Sequence, residues 1–195
     1  MGKRYGAILD SLGVEWVGID IAGDCSFNAC WAEYERVIIA TPTYTHADWI
    51  LECVDCDVSH ILCEKPLCKS SDKCRSLDLC GSDLRVVCNW SYVLPWRLKP
   101  GGHRVAYANW HTGGDGWAWD CCQLHHLARE PMVGPMEQQL PRFDARIDGF
   151  PISLTDIDRS YFAMLKDWYE DPTRLWGLDD AIAMEEKVEA ICSKQ

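Results

Sequence analysis

Lys65 stands between Glu64 and Pro66, directly after the apolar run Ile61-Leu62-Cys63. An ammonium fixed at such a point can stabilise an oxygen that gains negative charge during a reaction. A second apolar run, Val37-Ile38-Ile39-Ala40, ends in Thr41-Pro42-Thr43 and is followed by His46. Farther along, Asp120 precedes Gln123, His125 and His126. A carboxylate can orient an imidazole, which then takes a proton from a hydroxyl. Gln123, about one helical turn from Asp120, could hydrogen-bond a substrate hydroxyl. Trp110, Trp117 and Trp119 flank a stretch rich in glycine, His111–Gly116. They suit either stacking on a ring or an apolar core.

These groups need a scaffold that brings strand ends together. Apolar spacing predicts a helix over 2–13 closed by Gly13, then a short strand Glu15–Asp20 and a weak helix Ser26–Tyr34. Val37–Thr41 reads as a buried strand, Thr45–Cys56 as a helix capped by Thr43 or Thr45, and His60–Glu64 as the next strand. Ser70–Cys80 follows as a helix capped by Ser70 or Ser71, and Leu84–Trp90 as a further strand with Asn89 near its end. Strands alternating with helices imply a parallel sheet, whose carboxyl edge is where ligands bind in such folds.

The pattern changes near residues 92–98. The expected division is a Rossmann-like domain over 1–94 and a small α+β domain over 95–195. The second part contains a strand candidate, Arg104–Trp110, and a helix, Trp119–Arg129. It continues with a hairpin turning at Asp148-Gly149 and helices Asp156–Tyr169 and Leu178–Cys192. The acidic residues of 167–189 read as a solvated helix face.

A net charge of −11 argues against a nucleic-acid partner. No apolar run is long enough to span a bilayer, and no apolar signal core follows the basic start, so a cytoplasmic protein is expected. The chain has 12 cysteines, but only Cys53 and Cys56 form a CxxC and no second pair stands at zinc spacing. No metal site is expected. Cys25, Cys30, Cys63, Cys74, Cys80, Cys88 and Cys192 read as small buried apolar residues. Cys121-Cys122 adjoins the polar cluster at Asp120.

The segments Ala40-Thr41-Pro42-Thr43 with His46, and Cys63-Glu64-Lys65-Pro66-Leu67, resemble the Gfo/Idh/MocA family of NAD(P)-dependent oxidoreductases. Gly2-Lys3-Arg4-Tyr5 is similar to the end of that family's glycine-rich dinucleotide loop, and Asp20 falls where its second strand ends. Asn89-Trp90-Ser91-Tyr92, Gly116 with Asp120, and the closing segment around Tyr161 and Trp168 also resemble family segments. The resemblance implies an α/β fold and hydride transfer between NAD and a hydroxyl-bearing carbon of a sugar, cyclitol or polyol. It also implies a homo-oligomer.

For the cofactor it implies contacts from Gly2, Lys3, Arg4, Asp20, Thr41, Pro42, Thr43, His46, Glu64, Lys65 and Asn89. Asp20 would accept from the ribose hydroxyls and repel a 2′-phosphate, which favours NAD over NADP. Catalysis would rest on Lys65, Asp120 and His125.

Two departures follow from the same resemblance. Gly2 takes the place of the third glycine of the family's Gly-x-Gly-x-x-Gly, and residues 1–195 contain no counterpart of the first strand or the first two glycines. A shortened gene product, a start placed at an internal Met, or a strand supplied by a neighbouring subunit would each account for this. The family also places its His four residues after the Asp, where this chain has Leu124. A non-catalytic protein that keeps the fold for binding or assembly is the alternative expectation.

Overall fold

The computed structural model describes residues 1–19, 33–93, 105–108, 120, 123 and 144–192. Three parallel strands, β1 (Arg36–Ile39), β2 (His60–Cys63) and β3 (Asp83–Val86), form a sheet in that order. The register aligns Ile39, Cys63 and Val86 across the sheet. Whatever follows each of these residues therefore emerges at one edge: Thr41, then Glu64 and Lys65, then Asn89.

Helix α1 (Gly2–Leu12) buries Tyr5, Ile8 and Leu9 and closes at Gly13, whose φ of 69° is the left-handed geometry that glycine adopts without strain. Helices α2 (His46–Asp55) and α3 (Ser71–Arg75) connect the strands. A second sheet is antiparallel and joins β4 (Val105–Ala108), β5 (Asp144–Ile147) and β6 (Phe150–Pro151). Its β5–β6 turn holds Asp148 and Gly149 at positive φ, as the Asp-Gly pair predicts. Helix α4 (Leu154–Glu170) and helix α5 (Leu178–Cys192) complete the described chain.

One buried core takes residues from both halves, including Ile50, Ile61, Leu62 and Val86 with Met164, Leu165, Trp168 and Ala181. Helix α4 packs on α1 and on the 3-10 turn Asn89–Tyr92, and α5 packs on α3 and β3. The inward face expected for α4, Ile157, Tyr161, Leu165 and Trp168, is buried.

Several local expectations need correction. Residues 15–19 form no strand. Among the described residues they pair with no strand, so their backbone gains no ladder, and Val17 is 64% exposed. Helix α3 ends at Arg75 rather than Cys80: the Ser76 hydroxyl donates back to the Lys73 carbonyl, and Asp78 accepts from the Cys80 amide, both in competition with helical bonds.

Strand β3 ends at Val86: the Val87 amide makes a last bond to the Cys63 carbonyl, the Val86 amide donates to the Trp176 carbonyl, and the chain then enters the 3-10 turn at Asn89. Thr45 does not cap α2; its hydroxyl lies 2.8 Å from both the Thr41 hydroxyl and the Pro42 carbonyl. The acidic stretch is not wholly solvated. Asp167 and Glu185 are buried, and Glu189 accepts from the amide and hydroxyl of Ser71.

Cys53, Cys63, Cys74 and Cys88 are buried, and desolvation pushes the Cys53 and Cys88 thiols up to about 12, which leaves them unreactive. Cys80 is exposed, contrary to expectation. Cys25, Cys30 and Cys121-Cys122 lie outside the described residues, as does the helix expected over 26–34 apart from its last residues.

Helix α4 begins with a capping box in which the Ser153 hydroxyl accepts from the Asp156 amide and Asp156 accepts from the Ser153 amide. The hydrogen bonds from Ser153 hold the Asp156 carboxyl below its ordinary pKa. A depressed carboxylate stabilises the fold above its unfolded-state pKa and loses that contribution as pH falls through the folded one. Ser153→Ala is therefore expected to cost about 1 kcal/mol at neutral pH. Urea melts at descending pH should show the gap between the two proteins narrowing in the acid range.

Candidate active site at the strand ends

Lys65 follows the end of β2 and its side chain meets Asp120. Its side chain is 11% exposed, so it is not a surface lysine. The ammonium forms an ion pair with Asp120 Oδ1, and the Trp90 indole N–H donates to that same oxygen at 2.9 Å. Asp120 and Gln123 both lie in helical backbone.

Gln123 is almost completely buried. Its Nε2 donates to the Val87 carbonyl at 3.1 Å, and its Oε1 accepts from the Trp90 amide at 3.4 Å. Gln123 thus anchors the Asp120 turn to the end of β3 rather than presenting itself to a substrate hydroxyl. An aspartate and a glutamine three residues apart share one helix face, which is why both reach the same strand end.

Glu64 is buried and bridges two donors: Oε1 accepts from the Tyr5 hydroxyl at 2.6 Å and Oε2 from the Lys65 amide at 3.1 Å. Tyr5 meets the edge of Tyr161 with ring centroids 6.0 Å apart, and Arg4 lies over the Tyr161 ring while pairing with Asp158 at 3.1 Å. Burial, with the nearby Glu64 charge, pushes both phenols well above their ordinary pKa, so each stays a protonated donor.

His46 is buried, with Nδ1 2.7 Å from the Pro66 carbonyl and Nε2 2.8 Å from the Thr41 carbonyl. Both ring nitrogens are engaged by backbone, so His46 ties the Thr41-Pro42-Thr43 turn to the Lys65-Pro66 turn.

Asn89 sits in the 3-10 turn beside Trp90, 2% exposed, and its buried Oδ1 has no hydrogen-bond partner among the described residues. Such an oxygen is costly to leave unpaired and suits a ligand donor. At the start of α1 a Cβ on Gly2 would meet nothing within 4 Å, which leaves the first helical turn open beside Lys3 and Arg4. A helix N-terminus flanked by cations favours an anion. These features fit a dinucleotide: an open helix start for its pyrophosphate and an unpaired carbonyl for an amide or hydroxyl.

Asp20, His125 and His126 lie outside the described residues, as do Trp110, Trp117 and Trp119. Among the described residues no group of three or more His, Cys, Asp or Glu is placed to hold a metal ion. No helix among them is long and apolar enough to cross a membrane.

Residues 17–88 match the family GFO_IDH_MocA, an oxidoreductase family with an NAD-binding Rossmann fold. The matched segment contains all three parallel strands and the Lys65 turn. In this segment the chain is similar in sequence to the Gfo/Idh/MocA family.

Its fold is also that of solved oxidoreductases. The WlbA (WbpB) dehydrogenase from Thermus thermophilus, in complex with NAD and UDP-GlcNAcA, superposes with a TM-score of 0.65 at 15% identity, covering 97% of this chain and 90% of that one. An oxidoreductase from Agrobacterium radiobacter, in complex with NAD+, L-tartaric acid and magnesium, gives 0.63 at 15% identity over 96% and 84%. A probable dehydrogenase from Thermotoga maritima gives 0.62 at 12% identity over 99% and 87%. No curated protein matches the chain in sequence.

The match over residues 17–88 and the shared fold both support an NAD-binding oxidoreductase. Two residues at the site carry no warning in the sequence. Tyr5 reads as one more apolar-face residue of α1, and only a buried phenol facing an acid reveals its role. Trp90 was visible within Asn89-Trp90-Ser91-Tyr92, yet its indole partner lies 30 residues away.

Proposed function

We propose that this Gfo/Idh/MocA-like protein oxidises or reduces a hydroxyl-bearing carbon of a sugar, cyclitol or polyol. The observation that carries the reading is the Lys65–Asp120–Trp90 cluster at the shared strand edge. Lys65 holds its ammonium where it stabilises the negative charge that grows on the substrate oxygen. Asp120 anchors Lys65 and, with His125, handles the hydroxyl proton. Bound nicotinamide would supply or accept the hydride.

Gly2, Lys3 and Arg4 would hold the pyrophosphate. Thr41, Pro42 and Thr43 would line the ribose and nicotinamide, with His46 and Glu64 fixing that turn and the Lys65 turn from beneath. Asn89 would accept from the cofactor, and Asp20 would take the ribose hydroxyls and select NAD over NADP. The 94/95 division belongs to the same proposal, with the antiparallel sheet on the substrate side. So does a homo-oligomer: Phe150 and Leu154 leave large apolar surfaces exposed beside that sheet. The ligands of the Thermus and Agrobacterium structures, UDP-GlcNAcA and L-tartaric acid, both carry hydroxyl-bearing carbons and favour this substrate class.

The test is a screen of sugars, sugar acids, cyclitols and polyols for NAD reduction, with Lys65→Ala as control. Turnover of one class, lost by at least about 100-fold in the variant, is the expected result. Equal turnover by both proteins would remove Lys65 from the chemistry.

A further inference from the structure

We infer that Tyr5 is a positioning residue for Lys65, acting through the Glu64 carboxylate; the catalytic sense of this rests on the function proposed above, but the geometry does not. Glu64 has one oxygen on the Tyr5 hydroxyl, at 2.6 Å, and the other on the Lys65 amide, at 3.1 Å. The carboxylate is thus a bridge with α1 on one side and the lysine turn on the other.

All parts of the bridge are sheltered. Tyr5 is 3% exposed and Glu64 6%. A buried carboxylate keeps its charge only while donors reach both oxygens. Tyr5 is the donor to Oε1, and its burial keeps the phenol protonated.

The bridge matters because of what each end carries. Tyr5 lies in the first turns of α1, three residues after Gly2, so it moves with the helix start that faces an anion. Glu64 is the residue before Lys65 and is itself fixed to β1 by its amide, which donates to the Ile39 carbonyl at 2.9 Å. Displacement of the α1 start is thereby passed to the Lys65 backbone across a sequence separation of 59 residues. Without the phenol hydroxyl, Glu64 Oε1 loses its donor while still charged and enclosed, and the side chain turns toward solvent. That movement releases the Lys65 amide.

The test is residue-resolved amide hydrogen exchange on the full chain and its Tyr5→Phe variant. The expected result is exchange at the Lys65 amide faster by at least about tenfold, with the β2 amides of Ile61 and Leu62 changed by less than about twofold. Tyr5→Phe with Glu64→Gln should restore protection, because the neutral amide oxygen accepts from Lys65 without a phenol to hold its charge.

Unchanged exchange at Lys65 in Tyr5→Phe would overturn the inference. So would equal acceleration at Lys65, Ile61 and Leu62, which would make Tyr5 a core residue only. None of these readouts needs cofactor or substrate. If the protein failed to bind NAD(H) and the local effect still appeared, the proposed function would fall and the Tyr5 bridge would stand.

Discussion

Asp120→Asn is expected to lower stability by about 3 kcal/mol, and Lys65→Met to do the same, while the two together cost far less than the sum. The pair is nearly enclosed, with 11% and 14% side-chain exposure. Removing one partner leaves the other as a largely buried charge that has lost its counter-ion, and that penalty exceeds the net worth of the bridge. Asparagine is the informative choice at 120 because its Oδ1 still accepts from the Trp90 indole, so the loss reports the charge and not an orphaned N–H.

Urea unfolding of the four proteins gives the coupling directly. A coupling near zero would mean that Lys65 and Asp120 do not depend on one another in solution. Both single variants should also lose turnover on any substrate found by the screen.

Trp168→Ala should cost about 3–5 kcal/mol. Trp168 is 2% exposed on α4, and Arg36 of β1 lies 5.6 Å from its ring centroid and donates to its carbonyl at 3.3 Å. Trp168 therefore locks α4 to β1 of the parallel sheet. Its buried Nε1 has no hydrogen-bond partner among the described residues, so the cost is one of packing.

Trp168→Phe, which deletes only that orphaned donor and part of the ring, should cost about 1 kcal/mol. If the alanine variant unfolds in one transition, shifted to lower urea, both halves share one cooperative core. A separate early transition would show that α4 docks on an independently stable sheet.

Much of the frame was legible because it depends on short-range pattern. β-branched apolar runs ending in Pro turns located β1 and β2, Asp148-Gly149 located the hairpin, and 3.6-residue spacing gave α4 and α5 nearly to their ends. The Lys65 turn was legible for the same reason, since its motif is contiguous.

What failed was set by partners remote in sequence. The Val86 amide finds the Trp176 carbonyl, far along the chain, and the length of α3 depends on hydroxyl and carboxylate bonds that compete with the helix. Gln123 looked like a substrate ligand until Val87 and Trp90 claimed both ends of its amide. Glu185 and Glu189 looked solvated, because spacing on α5 does not reveal that α3 packs against that face.

The Glu15–Asp20 strand shows the opposite limit. Its apolar residues have strand character, but a strand needs a neighbour for its backbone groups, and Val17 remains largely exposed.

The central claim is that the strand-end cluster around Lys65 serves a bound nicotinamide dinucleotide. Calorimetric titration of the purified chain with NAD(H), beside Lys65→Ala, tests it most directly. The account predicts saturable binding by the wild-type chain in the micromolar range, with weaker binding by the variant. Absence of binding at millimolar NAD(H), by protein shown to be folded, would contradict it and leave a fold kept for binding or assembly.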